Sequence, residues 1–278
     1  MALTSPRFRN ESALRGVDAG HAILRFGAHG RHVHLLQIAL VDLGFSMPVS
    51  TLSRDYSPDG VYGRETRDVV KAFQRSTPGL SDDGEVGPLT MRALDARFPK
   101  LTHRVNLHFR SLALSDVPFN RIMGNCERVY TQYGIEARFA SGESLGLSAA
   151  DQRRFSVIRQ NCDWAMESGE FADLHRLGTR VPANDVAVYI VNLFQETTVG
   201  GCGGHAAIRP ACAVTHDCGP WDVAHELAHV LLTSSFTPEH TISPRNLMFS
   251  TSSTAPEPPA FTEKQLKRIR ESPLCRTI

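Results

Sequence analysis

The residues best suited to chemistry in this sequence are the two histidines and the glutamate of HELAH, positions 225–229. Because His225 and His229 are one helical turn apart, their imidazoles can reach a single cation from one face of a helix. Glu226 is offset by about 100° around the same helix, so its carboxylate lies beside the cation. Zinc held in this way acidifies a water molecule, and the neighbouring carboxylate can take its proton. The spacing predicts metal-assisted hydrolysis with Glu226 as the general base.

A catalytic zinc ion needs a third protein ligand, and the chain after HELAH offers several candidates. The next histidine is His240, and the loop between it and His229 is long enough to fold back to the metal. The competing carboxylates are Glu239, Glu257 and Glu263. The Pro-rich segment APEPPA makes Glu257 an awkward ligand, so we predict that His240 completes the site.

Two histidines that precede the motif have a different expected role. His205 and His216 lie before the helix, and we expect them near the substrate-binding strand rather than on the metal.

The segments around HELAH predict a helix packed on a sheet. Residues 222–233 form an amphipathic pattern. The side chains expected in the core are Val223, Leu227, Val230 and Leu231. The run at 185–194 is apolar on both faces, which indicates a central strand. A further strand is predicted over 206–216, at a sheet edge because it contains Pro210, where an extended peptide could pair with it.

The preceding residues predict the rest of this domain. Alternation of apolar and polar residues indicates a strand at 104–114, and a second strand is predicted at 135–140. Helices are predicted over 119–133 and from about 148 to 166, the latter capped by Ser148.

Residues 103–274, and most specifically 221–250, resemble the zincin metallopeptidases and, more narrowly, the metzincin-like group. That group places a glycine three residues and a histidine six residues after the second zinc histidine, whereas this chain has Leu232 and Ser235 there. We therefore expect the chain to leave the helix later, through Ser234, Ser235 and Pro238. The resemblance implies zinc as the cofactor and a catalytic domain with a mixed sheet.

Two further features bear on this resemblance. Met248 occupies the position of the methionine in the group's Met-turn, an apolar floor beneath the zinc histidines, and Thr262 is expected to cap the group's final helix. Some members use a tyrosine soon after the Met-turn to stabilise the tetrahedral intermediate, but no tyrosine follows Tyr189 here. The sequence therefore leaves the oxyanion stabiliser unassigned.

The first hundred residues contain an internal repeat. The units DGVYGRET at 59–66 and DGEVGPLT at 83–90 each pass from an Asp-Gly turn into a helix, and an apolar helix precedes them at 31–43. Together they predict a compact bundle of three short helices. The two DGxxGxxT units resemble the peptidoglycan-binding-like domain of bacterial cell-wall enzymes. This resemblance implies affinity for wall glycan or stem peptide, while a helical spacer and a protein-docking module remain alternatives.

A group of histidines in this region is interpreted as solvated rather than metal-binding, since two of them project from different sides of a helix. They are His21, His29, His32 and His34.

Together these patterns predict an α+β protein with four segments. They are an N-terminal extension over 1–24, the peptidoglycan-binding-like domain over 25–98, a linker over 99–102 that begins at Pro99, and the zincin-like domain over 103–278.

Charge and composition limit the partners. The net charge is +1, and without long basic runs we expect no nucleic acid partner. No segment approaches the roughly 20 apolar residues of a membrane-spanning helix, so we expect no membrane insertion. Six cysteines do not make a disulfide-dense scaffold, but Cys202, Cys212 and Cys218 crowd into a Gly-rich stretch, where a disulfide among the three is predicted, with buried thiols as the alternative.

The combined features predict a bacterial zinc metallopeptidase that acts on peptide or protein substrates at the cell wall. Two alternatives remain open: a hydrolase of the wall's own peptide or amide bonds, such as a secreted antibacterial effector, and a non-catalytic wall-binding protein. The first residues lack the apolar run of a secretory signal, so a wall function implies export by a dedicated machine, with a cytoplasmic location as the alternative. The oligomeric state and the cleavage specificity stay unassigned.

Overall fold

The computed structural model describes residues 3–5, 7–52, 57–98, 100–160, 162, 169–177, 180–196, 200–205, 210–250 and 258–278. The chain divides into two compact units, Met1–Leu101 and Thr102–Ile278.

The described part of the first unit contains four helices and a small antiparallel sheet. The helices are α1 (Ser12–Asp18), α2 (Arg31–Asp42), α3 (Arg64–Arg75) and α4 (Pro88–Asp95). The strands β1 (Thr51–Leu52) and β2 (Ser57–Pro58) pair with each other. The three predicted helices correspond to α2, α3 and α4.

The helix α1 lies in the segment that the sequence suggested was an extension. Phe8, Leu14 and Val17 are fully buried in the core of the first unit, and α1 packs against α4. Asp95 of α4 also accepts hydrogen bonds from the main-chain N–H groups of Thr4 and Ser5. The described residues from Leu3 onward are therefore part of this folded unit.

The repeat in the first unit is built around two buried glutamines. Gln37 of α2 donates from Nε2 to Asp59, the carbonyl of Val61 and Thr66, and accepts from the N–H of Gly60. Gln74 of α3 makes the same four bonds one repeat later. Its partners are Asp83, the carbonyl of Glu85, Thr90 and the N–H of Gly84. Each glutamine thus fixes the DGxxGxxT turn that follows its own helix.

The second unit is built on a six-stranded mixed sheet. Its strands are β3 (His103–Ser111), β4 (Ile135–Ser144), β5 (Val186–Val191), β6 (Gly201–His205), β7 (Pro210–Thr215) and β8 (Arg276–Thr277). The order is β4-β3-β5-β7-β6, and β8 also pairs with β3. The pairs β3–β4, β3–β5 and β5–β7 are parallel, whereas β6 and β8 run antiparallel to their partners.

Five helices of the second unit are described. They are α5 (Phe119–Thr131), α6 (Ala149–Arg154), α7 (Gly169–Leu177), α8 (Asp222–Leu232) and α9 (Glu263–Glu271). Ser148 caps α6, which is shorter than predicted, and Thr262 caps α9 as expected. The predicted fold class is confirmed: a small helical domain precedes an α+β domain whose mixed sheet supports the HELAH helix, α8.

The sheet separates two apolar layers. Val188 of β5 faces the layer formed with α5, α8 and α9, while Tyr189 faces the layer formed with α7. All six residues of β5 are buried, which confirms the predicted central strand. Such burial on both faces is what parallel strands flanked by other elements require.

The predicted edge position of Pro210 is wrong. Pro210 begins β7, which lies between β5 and β6, so β6 forms this edge of the sheet. Proline is tolerated as the first residue of a strand, and here it lies opposite His205 at the end of the hairpin. Residues 206–209 of the predicted strand lie outside the described residues.

The predicted disulfide among Cys202, Cys212 and Cys218 is also wrong. Cys202 bonds to Cys162, with their Cα atoms 5.5 Å apart. Cys212 and Cys218 are free and buried. The reason is geometric, because Cys212 of β7 lies opposite Gly203 and contributes to the core beneath α8 rather than facing Cys202.

Among the described helices, none has the length and apolar character needed to cross a membrane.

Candidate metal centre

The three predicted histidines meet at one point in the second unit. Nε2 of His229 lies 3.0 Å from Nε2 of His225 and 3.2 Å from Nε2 of His240. Among the described residues, these three form a group whose candidate ligand atoms all lie within 4.8 Å of one another. Three imidazole nitrogens that converge in this way make a donor set able to hold a metal ion.

The helix α8 places the first two histidines because its apolar face is fixed in the core. Val223, Leu227, Val230 and Leu231 are buried as predicted. At its N-terminal end Trp221 is buried, and the Arg128 guanidinium lies 5.2 Å from the Trp221 ring centre. The buried Tyr130 hydroxyl donates to the carbonyl of Ala224. Helix α8 therefore has little freedom to rotate or slide.

The outward-facing nitrogens of two histidines have their own partners. Nδ1 of His225 donates to the carbonyl oxygen of Leu247 at 2.6 Å, which leaves the Nε2 lone pair of this ring facing the cluster. A carboxylate oxygen of Glu239 lies 3.8 Å from Nδ1 of His229. Glu239, a competing candidate for the third ligand, thus lies on the far side of the His229 ring from the cluster.

Burial keeps the first two imidazoles neutral. It lowers the pKa of His225 below its ordinary value, although the hydrogen bond to Leu247 opposes this change. Burial, reinforced by His225 and His240, lowers the pKa of His229 to about 2. Neutral imidazole is the form that binds metals, so the surroundings favour the ligand state.

Glu226 lies in the narrow space between α8 and β6. Burial raises its pKa well above the ordinary value, Asp222 adds to the rise, and a hydrogen bond from the main-chain N–H of Gly203 opposes it. A Cβ at Gly201 would lie 2.5 Å from Cγ of Glu226, and one at Gly203 would overlap the main-chain oxygen of Glu226. Strand β6 can approach Glu226 this closely only because both positions are glycine.

The loop to His240 starts earlier than predicted. The chain leaves α8 at Thr233, whose φ of 65° lies in the left-handed region, rather than at Ser234, Ser235 and Pro238. A β-branched residue is strained there. Arg268 of α9 compensates by donating to the carbonyl of Leu232 and to the hydroxyl of Thr233.

Met248 is fully buried in the core beneath α8, at the turn 246–249. The N–H of Thr241 donates to the carbonyl of Met248 at 2.7 Å, which ties the residue after His240 to this turn. Asn246 begins the turn and accepts from the N–H of Met248.

The other candidates lie apart from the cluster or outside the described residues. His216 pairs with Asp116 at 3.1 Å. Glu263 is the first residue of α9 and is exposed. Glu257 lies outside the described residues, as does the side chain of His205.

Sequence reasoning missed the residues that support this cluster. Arg268 and Gln265 were part of a predicted helix, yet nothing in the sequence indicated which loops they contact. The glycines at 201 and 203 offered a signal, because their two-residue spacing leaves one face of a strand without side chains.

Comparison with known protein families identifies the first unit. Residues 29–94 match the family model described as "Putative peptidoglycan binding domain". The predicted peptidoglycan-binding-like domain is confirmed.

Two curated relatives from Bacillus licheniformis are similar to part of the chain. They are "N-acetylmuramoyl-L-alanine amidase CwlL" and a "Probable N-acetylmuramoyl-L-alanine amidase". Each is 43% identical over 74 residues, which is 27% of this chain and 19% of the relative. The similarity thus spans about a fifth of the length of these relatives.

Two solved structures are similar to a larger share of the chain at low identity. Metalloproteinase-II from Bacteroides fragilis is 11% identical with a TM-score of 0.45, covering 62% of this chain and 54% of that one. Archaemetzincin from Methanopyrus kandleri is 16% identical with a TM-score of 0.38, covering 60% of this chain and 94% of that one.

Proposed function

We propose that this protein is a zinc-dependent hydrolase that cleaves peptide bonds at the bacterial cell wall. The observation that supports it is the convergence of three Nε2 atoms, of His225, His229 and His240, at helix α8, which also carries the buried Glu226. The donor set fits zinc, since catalytic zinc sites combine three protein ligands, often all imidazole, with one open position.

The metal and the protein's own side chains would have different roles in the reaction. When bound, zinc would polarise the substrate carbonyl and make a water molecule acidic. Glu226 would take a proton from that water and deliver it to the departing amine. The N–H of Gly203 would keep the carboxylate in place during both transfers.

A second candidate is a hydrolase of the wall's own peptide or amide bonds. The peptidoglycan-binding domain supports it, and so does the similarity to two N-acetylmuramoyl-L-alanine amidases. A non-catalytic wall-binding protein is the least favoured reading. Burying a carboxyl group on the helix that carries two of these histidines costs free energy, and wall binding alone gives no reason for that cost.

The proposed site of action is extracytoplasmic. A peptidoglycan-binding domain concentrates the enzyme on its substrate only where peptidoglycan is present. The disulfide between Cys162 and Cys202 supports an oxidising destination. Delivery by a dedicated secretion machine, as for an antibacterial effector, is compatible with these features.

The decisive experiment offers both substrate classes to the same protein. Purified wild type and Glu226→Ala are loaded with zinc and incubated with isolated sacculi and with an unfolded protein, and the products are analysed by mass spectrometry. Soluble wall fragments from the wild type alone would select the wall hydrolase, and peptides alone would select the protease. Absence of products from both substrates would refute hydrolysis, and sacculus binding by both forms would then support the wall-binding protein.

A further inference from the structure

Helix α9 directs three polar side chains, at positions 264, 265 and 268, at the loops that carry the histidine cluster. Lys264 donates to the carbonyl of Thr237 at 2.9 Å, in the loop before His240. Arg268 donates to the carbonyl of Leu232 at 3.2 Å and to the hydroxyls of Thr233 and Ser235, each at 2.9 Å. None of these groups on α9 belongs to the cluster of candidate metal ligands.

The remaining side chain, Gln265, forms a reciprocal amide pair with Asn246. Nδ2 of Asn246 donates to Oε1 of Gln265 at 2.9 Å, and Nε2 of Gln265 donates back to Oδ1 of Asn246 at 3.2 Å. Gln265 is only 1% exposed and Asn246 only 6%, so water cannot replace a lost partner without cost. Oε1 of Gln265 also accepts from the N–H of Thr262, as part of the capping box of α9.

This pair connects the start of α9 to His225 through a short series of bonds. Oδ1 of Asn246 accepts from the N–H of Met248, which fixes the turn 246–249. The carbonyl of Leu247, in the middle of this turn, is the acceptor for Nδ1 of His225 at 2.6 Å. The orientation of that carbonyl therefore decides which nitrogen of His225 faces the cluster.

Arg268 influences the position of His240 through the loop that carries this histidine. The carbonyl of Leu232 is one of the carbonyls at the end of α8 that have no partner within the helix, and Thr233 follows it with a strained, positive φ. The Arg268 guanidinium holds this turn by bonding to the Leu232 carbonyl and to the hydroxyls of Thr233 and Ser235. It thereby sets the direction of the loop that returns His240 to the cluster.

We propose that Gln265 and Arg268 are positioning residues for the metal site, each acting on a different histidine from one helix. The proposal rests on the proposed metal site. Gln265 orients His225 through Asn246 and the Leu247 carbonyl, while Arg268 directs the His240 loop through the end of α8.

Metal binding by the full-length protein tests this directly. We would measure the affinity of metal-free protein for Zn²⁺ by competition with a chromophoric chelator, and the visible spectrum of the Co²⁺ form. Gln265→Ala and Arg268→Ala should each weaken Zn²⁺ affinity by about 10-fold, the lower end of the effect of removing a direct partner of a metal ligand, because each acts through an intervening group. Each should also change the intensity or position of the Co²⁺ bands. Lys267→Ala, an exposed position on the same helix, should leave both readouts unchanged.

Conservative variants keep the test valid if an alanine variant folds poorly. Gln265→Glu keeps both acceptor interactions but sets a carboxylate oxygen against Oδ1 of Asn246 in place of the donated bond, so its affinity should fall below that of wild type. Arg268→Lys keeps the charge but loses the planar fork that reaches three oxygens, and should be only partly rescued. Variants with lowered thermal stability but wild-type affinity and Co²⁺ spectrum would overturn the positioning role. A wild type that binds neither metal would instead overturn the proposed function, and this inference with it.

Discussion

Gly201 and Glu226 are in direct contact: a Cβ at Gly201 would lie 2.5 Å from both Cγ and Oε1 of the glutamate. Strand β6 therefore reaches the proposed general base through its main chain alone. Any side chain at position 201 must displace either the strand or the carboxylate.

Replacement of this glycine should damage catalysis without removing the metal. We expect Gly201→Ala to lower kcat by on the order of 100-fold, because a shift of about 1 Å in a catalytic group has effects of this size. Zinc content should stay at the wild-type level, since the added methyl group contacts Glu226 rather than the histidines. Steady-state kinetics and metal analysis of the same preparation check both points. Gly124→Ala is the matched control, because a Cβ there meets nothing within 4 Å.

The third ligand can be tested by substitution in the cluster. His240→Ala should weaken zinc affinity by more than about 100-fold, since losing a ligand costs more than losing a ligand's partner. His216→Ala is the control, because His216 pairs with Asp116 away from the cluster. Competition with a chelator measures both affinities. Wild-type affinity in His240→Ala would assign the third position to another residue.

The disulfide should stabilise the second unit. Cys162 and Cys202 are 40 residues apart, and closing a loop of this length is worth about 4 kcal/mol in the chain-entropy description. Cys162→Ser should lower the free energy of unfolding by about this amount in urea titrations. A phosphine reductant should lower it similarly in the wild type and have no further effect on the variant. Equal stability of oxidised and reduced wild type would contradict the prediction.

The two glutamines of the repeat should be equally important for folding of the first unit. Gln74→Ala leaves buried partners such as Thr90 and the N–H of Gly84 without their bonds, so local stability should fall by at least about 2 kcal/mol. Gln37→Ala should have a matching effect in the preceding turn. Amide hydrogen exchange of α2, α3 and α4 in the full-length protein reports this loss. The control is Arg75→Ala, whose exposed ion pair with Asp82 is worth less than about 1 kcal/mol.

The sequence predicts those helices and strands whose pattern of apolar residues lies within the element itself. The spacing of Val223, Leu227 and Val230 was enough for α8, and a wholly apolar run was enough for β5. The histidine spacing likewise placed His225 and His229 on one face, and His240 joins them in the structure.

The features that were missed depend on partners distant in the chain. Strand β6 is rich in glycine, a residue with low strand propensity, so its sequence does not predict a strand. Its glycines allow it to lie close to α8. Cys202 pairs with a cysteine 40 residues earlier, so its crowding near Cys212 was misleading. The turn at Thr233 contradicts the local preference of threonine, and only Arg268 on a later helix explains it.

Helix α9 also sets an order of events during synthesis. All three histidines and Glu226 precede Thr262 in the chain, so they leave the ribosome before the groups that hold Leu232 and Asn246 in place. A nascent chain that ends before α9 has every proposed ligand but not the bonds that orient two of them. Metal loading in its final geometry should therefore follow translation of residues 262–268, so an incomplete chain would lack the proposed hydrolytic site.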